Sequence, residues 1–330
     1  MSGLRHTLES HQVAIYFAAV VAAALAGFFM HGATALEAAI NPALAVMLFV
    51  TFLQVPLADL GRALVRMRFI AALLFANFIM VPGLALTLVQ FLPPDPMLRL
   101  GVLIVLLAPC IDYVVTFSHI GRADARLLLA STPALLLLQM LLLPLYLGLF
   151  LGDDAAGLVQ AGPFLHAFVW LIAGPLVLAG IFQTLAARSA GLARVSAGLS
   201  LLPVPATAIV LFVVIASVTP QLGLALDGAL RALPLYVAYA VIAPLLGWGI
   251  AWLAGLEAPA GRAIAFSAGT RNSLVVLPLA FAVPGAVPVL PAVIVMQTLV
   301  ELVASLVYIR VIPKLGRPDP ETISITSKTG

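Results

Sequence analysis

Apolar stretches of about 18–25 residues recur along nearly the whole chain, and each is long enough to cross a hydrocarbon core of roughly 30 Å as an α-helix. Ten are readable, at 13–31, 36–55, 69–92, 97–119, 125–151, 163–187, 199–219, 230–254, 260–283 and 289–312. Runs such as Leu127 to Leu138 lack the alternation of apolar and polar positions that a transmembrane strand needs, so the pattern excludes a β-barrel. The fourth and ninth stretches are interrupted, by Ala108-Pro109-Cys110-Ile111-Asp112 and by Gly269-Thr270-Arg271-Asn272-Ser273. Proline removes a backbone donor, and an ionised aspartate near the bilayer centre costs at least ~2.5–3.5 kcal/mol. Both interruptions therefore belong in a protein-lined cavity.

The segment from Asp153 to Gly162 separates two sets of five spans, and an odd number per set makes the second enter the membrane from the opposite side. Pro42 and Pro203 occupy the second span of each set, 161 residues apart, and Pro82 and Pro244 the third, 162 apart. The first offset carries Pro109 onto Thr270, so the two interruptions correspond. The pattern predicts an all-α integral membrane fold of ten transmembrane helices in two inverted five-helix repeats, residues 1–152 and 153–318, with a polar cytoplasmic tail at 319–330. The fourth and ninth helices would cross near the midplane. Corresponding broken helices in inverted halves mark a transporter site, because half-helix ends aim backbone dipoles at the midplane.

Composition agrees: 63% of the 330 residues are apolar and 9% are charged, too little polar surface for a soluble domain of this length. Basic residues set the orientation. Arg62, Arg66 and Arg68 follow the second span, Arg122 and Arg126 the fourth, Arg188 and Arg194 the sixth, Arg262 the eighth, and Lys314 and Arg317 the tenth; the opposite loops hold Arg99 and Arg231. Both termini are expected in the cytoplasm, with Asp153 and Asp154 facing outward. The excess of arginine over lysine points to a GC-rich bacterial genome, hence to the inner (plasma) membrane. The net charge of +3 is spread over loops and forms no face for nucleic acid. One cysteine permits no internal disulfide, no Cys/His cluster has zinc spacing, and no cofactor is indicated. The segment near Val13 reads as a retained span, not a removed signal.

Four intramembrane groups stand out. Cys110 is either a small buried apolar residue or, exposed by the breaking proline, a soft ligand for a thiophilic solute. Asp112 and Arg271 lie at corresponding interruptions, where they form a structural ion pair or a proton acceptor tuned by a nearby cation. Glu301 lies about a dozen residues from either end of its span, too deep to snorkel, and Gln297 and Ser305 share its face four residues either side. That stripe should face protein, with Glu301 functional. Thr270, Asn272 and Ser273 are further site-lining candidates. His119 reads as an interfacial residue, and the Trp and Tyr residues need no role beyond packing or interfacial anchoring.

The run Ala108-Pro109-Cys110-Ile111, with Ser118-His119 and Asp124, resembles the fourth-span signature of the Acr3 family of arsenite-efflux transporters, within the bile acid/sodium symporter superfamily. Leu299-Val300-Glu301 resembles that family's last-span motif. The resemblance implies a panel of spans 1, 2, 6 and 7, a core of spans 3–5 and 8–10, and essential roles for Cys110 and Glu301. It implies a secondary transporter and not an enzyme, which exports arsenite, with antimonite as a further solute, by proton antiport. Three residues depart from the pattern: Asp112 replaces a small apolar residue, Phe117 a tryptophan, and Arg271 an Asn or Gln. A guanidinium at that place would repel sodium and favour proton coupling, or would attract an oxyanion, which keeps open a coupled transporter of organic anions or arsenate-like solutes. An intramembrane enzyme with Cys110 as nucleophile lacks an adjacent histidine, and a sensor lacks an appended soluble domain.

Overall fold

The structure is a computed structural model and describes residues 7–30, 32–55, 66–111, 113–151 and 166–316. Asp112, Arg62, Arg317, the Asp153–Gly162 divider and the 319–330 tail lie outside the described residues. Among the described residues the fold is helical. We label α1 Gln12–Phe29, α2 Glu37–Phe52 (preceded by a 3-10 turn, Ala33–Leu36), α3 Met67–Val89, α4 Pro96–Leu106, α5 Tyr113–Ile120, α6 Ala125–Leu151, α7 Phe168–Ala186, α8 Ala190–Leu199, α9 Pro203–Val218, α10 Leu222–Leu253, α11 Ala258–Gly269, α12 Ser273–Phe281 and α13 Val289–Val311. Among the described residues seven helices are long and apolar enough to cross a membrane: α1, α2, α3, α6, α7, α10 and α13. The surface is apolar where it faces away from the bundle, as along α6, where Leu141, Leu145 and Leu149 are 73%, 62% and 72% exposed.

Two boundaries and the placement of one charge differ from expectation. The seventh span, expected at 199–219, is preceded by α8, which Ser189 caps through Leu192 N and which meets α9 at 45°. Arg194 therefore lies on a helix with no buried residue instead of in a loop. The eighth, expected at 230–254, begins at Leu222, and an exposed Asp227–Arg231 pair at 2.8 Å supports its added turns. Arg262, counted above as a loop charge, is only 2% exposed; its guanidinium donates to Leu315 O and Arg122 O, tying the end of α13 and the turn after α5 to the first turn of α11. Those three chain segments thus lie at one end of the bundle.

Internal prolines leave carbonyls without their helical donor, and two are repaired alike. Pro82 cannot serve Phe78 O, which accepts instead from the Tyr146 hydroxyl on α6. Pro244 cannot serve Ala240 O, which accepts from the Tyr308 hydroxyl on α13 at 2.5 Å. The three residues of the second set each stand 162 positions after those of the first.

Close approach of α10 and α11 uses glycine. A Cβ added to Gly247 would stand 2.8 Å from Ala268 Cβ and 2.9 Å from Ile264 O, whereas one added to Gly249 would meet nothing within 4 Å. Small residues let membrane helices approach to backbone contact. We therefore expect Gly247→Ala to destabilise by about 1–3 kcal/mol through overpacking against backbone. Gly249→Ala is expected to stabilise by up to about 1 kcal/mol through helix propensity. Thermal unfolding of the two purified variants in one detergent compares them; equal midpoints would refute tight α10–α11 packing at Gly247.

Candidate functional site

The two interruptions meet. Pro109 and Arg271 form an isolated antiparallel bridge, in which Asn272 N donates to Ala108 O at 2.7 Å and Cys110 N to Thr270 O at 3.3 Å. The half-helices α4 and α11 end here, and α5 and α12 begin here. Carbonyls from two helix ends and amides from two helix starts therefore face one buried place.

An α-helix leaves its last four carbonyls without intrahelical donors, and burial makes each need another. At the end of α11 side chains supply them. Phe266 O accepts from Thr270 Oγ1 at 2.8 Å, Ser267 O from Arg271 Nη2 at 2.6 Å, and Ala268 O from Tyr239 Oη at 2.6 Å and Arg271 Nη2 at 3.1 Å, while Gly269 O lies 3.5 Å from Tyr308 Oη, whose one proton goes to Ala240 O. Arg271 also reaches the end of α4, donating from Nη1 to Leu106 O at 3.4 Å, and Nη2 meets a third oxygen, Asn77 Oδ1, at 2.7 Å. The Tyr239 ring faces the guanidinium carbon at 5.8 Å. Each helix C-terminus carries roughly half a negative charge, so two of them about balance one fully buried guanidinium.

Asn77 is fixed in turn. It lies in a π-helical turn of α3, Ala76–Met80, and its Nδ2 donates to Leu73 O and Ser267 Oγ, both at 3.0 Å, which aims Oδ1 at Arg271. Such turns widen a helix locally and recur at functional sites.

Glu301 faces the amide side. Its Oε2 accepts from the Arg271 main-chain N–H at 2.7 Å and from Gln297 Nε2, and its Oε1 from Tyr113 Oη at 2.5 Å. Arg271 thus serves both sides of the crossing, by its backbone amide to the carboxylate and by its guanidinium to neutral oxygens. Ser273 Oγ shares a hydrogen bond with Thr298 Oγ1 at 2.7 Å, and Asn272 Oδ1 caps α12 by accepting from Val275 N. Asn272 Nδ2, Gln297 Oε1, Ser305 Oγ and Arg271 Nε are buried without a protein partner. The Gln297–Glu301–Ser305 stripe faces protein throughout.

The structure therefore brings Cys110, Thr270, Arg271, Asn272, Ser273, Gln297 and Glu301 to one site. The Asp112–Arg271 pair lies outside the described residues. Nη1 and Nη2 of Arg271 donate to carbonyl and amide oxygens, and Nε alone lacks a partner. The tyrosine expectation is corrected: Tyr113 and Tyr239 donate their hydroxyls at the crossing, and Tyr308 donates to the proline-freed Ala240 O beside it. Asn77 escaped sequence reasoning, although an asparagine inside an apolar span five residues before Pro82 was a usable signal. A small cavity of about 40 Å³, lined by Glu9, Gln12, Tyr16, Tyr113, Thr116 and Thr207 among others, adjoins the site at Tyr113, and Gln12 Nε2 is buried in that region without a partner. Among the described residues no His/Cys/Asp/Glu group could hold a metal ion.

The family model described as the sodium bile acid symporter family matches residues 41–223, more than half of the chain. The match takes in Asn77, Cys110 and Tyr113 and ends before Arg271 and Glu301. Among curated proteins, none matches the chain. Members of this family are transporters, and the long apolar helices fit a multi-pass membrane protein. A matched stretch of this extent assigns the chain: it belongs to the sodium bile acid symporter family.

Proposed function

We propose that the protein is a secondary active exporter of trivalent arsenic that exchanges its solute for protons. The observation that carries this reading is that a thiol segment and a carboxylate adjoin one dipeptide: Cys110 N bonds Thr270 O, and Glu301 bonds Arg271 N. A single sulfur is a labile ligand for a thiophilic solute. The Cys110 thiol displaces one hydroxyl of As(OH)₃, forming an S–As bond and releasing water, and hydrolysis reverses the step. Binding of that strength permits release, which transport requires. Asn272 Nδ2 and Gln297 Oε1 offer a donor and an acceptor to the solute's hydroxyls. Glu301 is the proton carrier: its three donors suit the ionised form, and the Tyr113 hydroxyl can turn to accept when the carboxylate takes a proton.

The reading includes ten spans in two inverted repeats, with the panel and core division given above, both termini in the cytoplasm and a bacterial inner membrane. Support for the repeats comes from the paired proline repairs at Phe78 and Ala240, and from Gln139, which precedes Glu301 by 162 positions and is likewise buried. A second reading, a sodium-coupled organic-anion transporter, is favoured by the family match.

The deciding measurement is arsenite accumulation in everted vesicles under an imposed proton gradient. Wild type should accumulate arsenite, while Cys110→Ala and Glu301→Gln should fall at least tenfold (about 1.4 kcal/mol or more). Unimpaired Cys110→Ala would remove the thiol from the mechanism. No arsenite flux in the wild type would transfer the assignment to the organic-anion reading, which predicts sodium-dependent uptake.

Tyr113→Phe removes one charge-assisted hydrogen bond from Glu301, worth about 1.5–3 kcal/mol. Initial exchange rates should drop roughly tenfold or more while equilibrium arsenite binding changes little. Equal loss of binding and rate would show that Tyr113 shapes the solute site instead.

A further inference from the structure

The small cavity beside the crossing is walled by three helices and reaches the residue that donates to Glu301. Gln12 and Tyr16 line it from α1, Thr207 from α9, and Tyr113 and Thr116 from α5, while Glu9 lines it from the helical turn before α1. Burial deepens along this row: Glu9 is half-buried, whereas Gln12 and Thr207 are 4% and 5% exposed. A volume of about 40 Å³ has room for roughly one to three waters, each of which needs two to four polar partners. The lining is rich in such groups, and Gln12 Nε2 is buried without a protein partner. Leaving that donor dry would cost about 1–3 kcal/mol, so the site favours water over apolar packing. Its titratable lining residues are Glu9, Tyr16 and Tyr113, and beyond Tyr113 stand the charges of Glu301 and Arg271.

We propose that this cavity is a water-filled proton path that links Glu301 to the bundle end carrying Glu9, with Glu9 as the group that passes protons to bulk water. The inference rests on the proton exchange proposed above. Protonated Glu301 gives its proton to the Tyr113 oxygen as the Tyr113 hydroxyl gives its own to a cavity water. The excess proton then moves through the water beside Gln12 to the Glu9 carboxylate, which releases it to bulk. Tyr113 is neutral before and after, Glu301 ends ionised and Glu9 ends as it began. The path also carries its own switch. Its walls α1 and α9 belong to the panel of the proposed reading and α5 to the core, so movement of the core takes Tyr113 away from Gln12 and interrupts release. Protons then leave toward Glu9 only in the state that holds α5 against α1.

The test uses the full chain in proteoliposomes, as wild type, Glu9→Gln, Glu9→Asp, Gln12→Leu and Thr207→Val, with labelled arsenite followed in two modes. One is accumulation driven by an imposed proton gradient; the other is counterflow, in which arsenite exchanges for arsenite and no net proton is released. Glu9→Gln and Gln12→Leu should lose roughly tenfold or more of the driven rate, the scale of a missing proton-transfer group. Their counterflow should stay within about twofold of wild type, because the solute site is intact. Glu9→Asp keeps a carboxylate and should retain both modes. Should Gln12→Leu not fold, Thr207→Val, which removes one hydroxyl from the lining at nearly constant volume, has to show the same split. Equal loss in both modes, or an undiminished driven rate in Glu9→Gln, would overturn the path while leaving proton exchange standing. Wild type that shows counterflow and no driven accumulation would overturn proton exchange itself, and the path with it.

Discussion

Two helices end inside this protein where a membrane helix would ordinarily continue, and the carbonyls they leave behind must be satisfied without bulk water. That demand organises the site. The hydroxyls of Thr270 and Tyr239 and a guanidinium converge on the end of α11, and the same guanidinium reaches the end of α4. Each unsatisfied buried carbonyl would cost about 1–3 kcal/mol, so losing several at once would exceed what any local repacking returns. Hydrogen bonds also tie α3, α10 and α13 to the broken pair, because Asn77 Oδ1 accepts from Arg271, Tyr239 donates to Ala268 O and Glu301 accepts from Arg271 N, each from a separate helix. The site and the packing of its surroundings are one arrangement.

Opposite faces of the crossing take opposite charge. Carbonyl ends hold Arg271, and amide starts hold Glu301, with the backbone of Arg271 serving as the link between them. Neither charge needs the other as a direct ion-pair partner. This separation lets one charge be fixed while the other changes state, which a close Arg–Glu pair in a low-dielectric interior would resist.

Much of the architecture was legible in the sequence, because long apolar runs and their punctuating prolines report directly on membrane crossing. The two interruptions were found by their polarity, and Glu301 by its depth in an apolar helix. What escaped was the wiring. Asn77, Tyr113, Tyr239 and Tyr308 have the composition of ordinary membrane-helix residues, and only the three-dimensional path of the chain gives their polar tips a partner. The 162-residue offset came within reach of it: applied to Phe78, Pro82 and Tyr146, it lands on Ala240, Pro244 and Tyr308. Arg271 stood out as anomalous, but its targets could not be read, since the sequence does not show which backbone carbonyls surround it. The start of α8 likewise depended on a serine cap that composition alone leaves ambiguous.

The division of labour at the crossing also constrains which group can carry a proton. Arginine does not deprotonate in proteins, so Arg271 keeps its charge in every state of the cycle. The carbonyls that hold it are equally unable to titrate. A protein built this way has given its helix C-termini a permanent counter-charge, while on the amide side Glu301 has a tyrosine hydroxyl able to reverse its hydrogen bond when the carboxylate takes a proton. Asymmetry between the halves points the same way. Gln139, 162 positions before Glu301, is buried but has no charge to exchange, so of the two corresponding positions only the second can change protonation. Under the proposed exchange, Glu301 is then the group, among the described residues of the crossing, at which solute and proton would compete, and competition at one place is a simple physical basis for exchange.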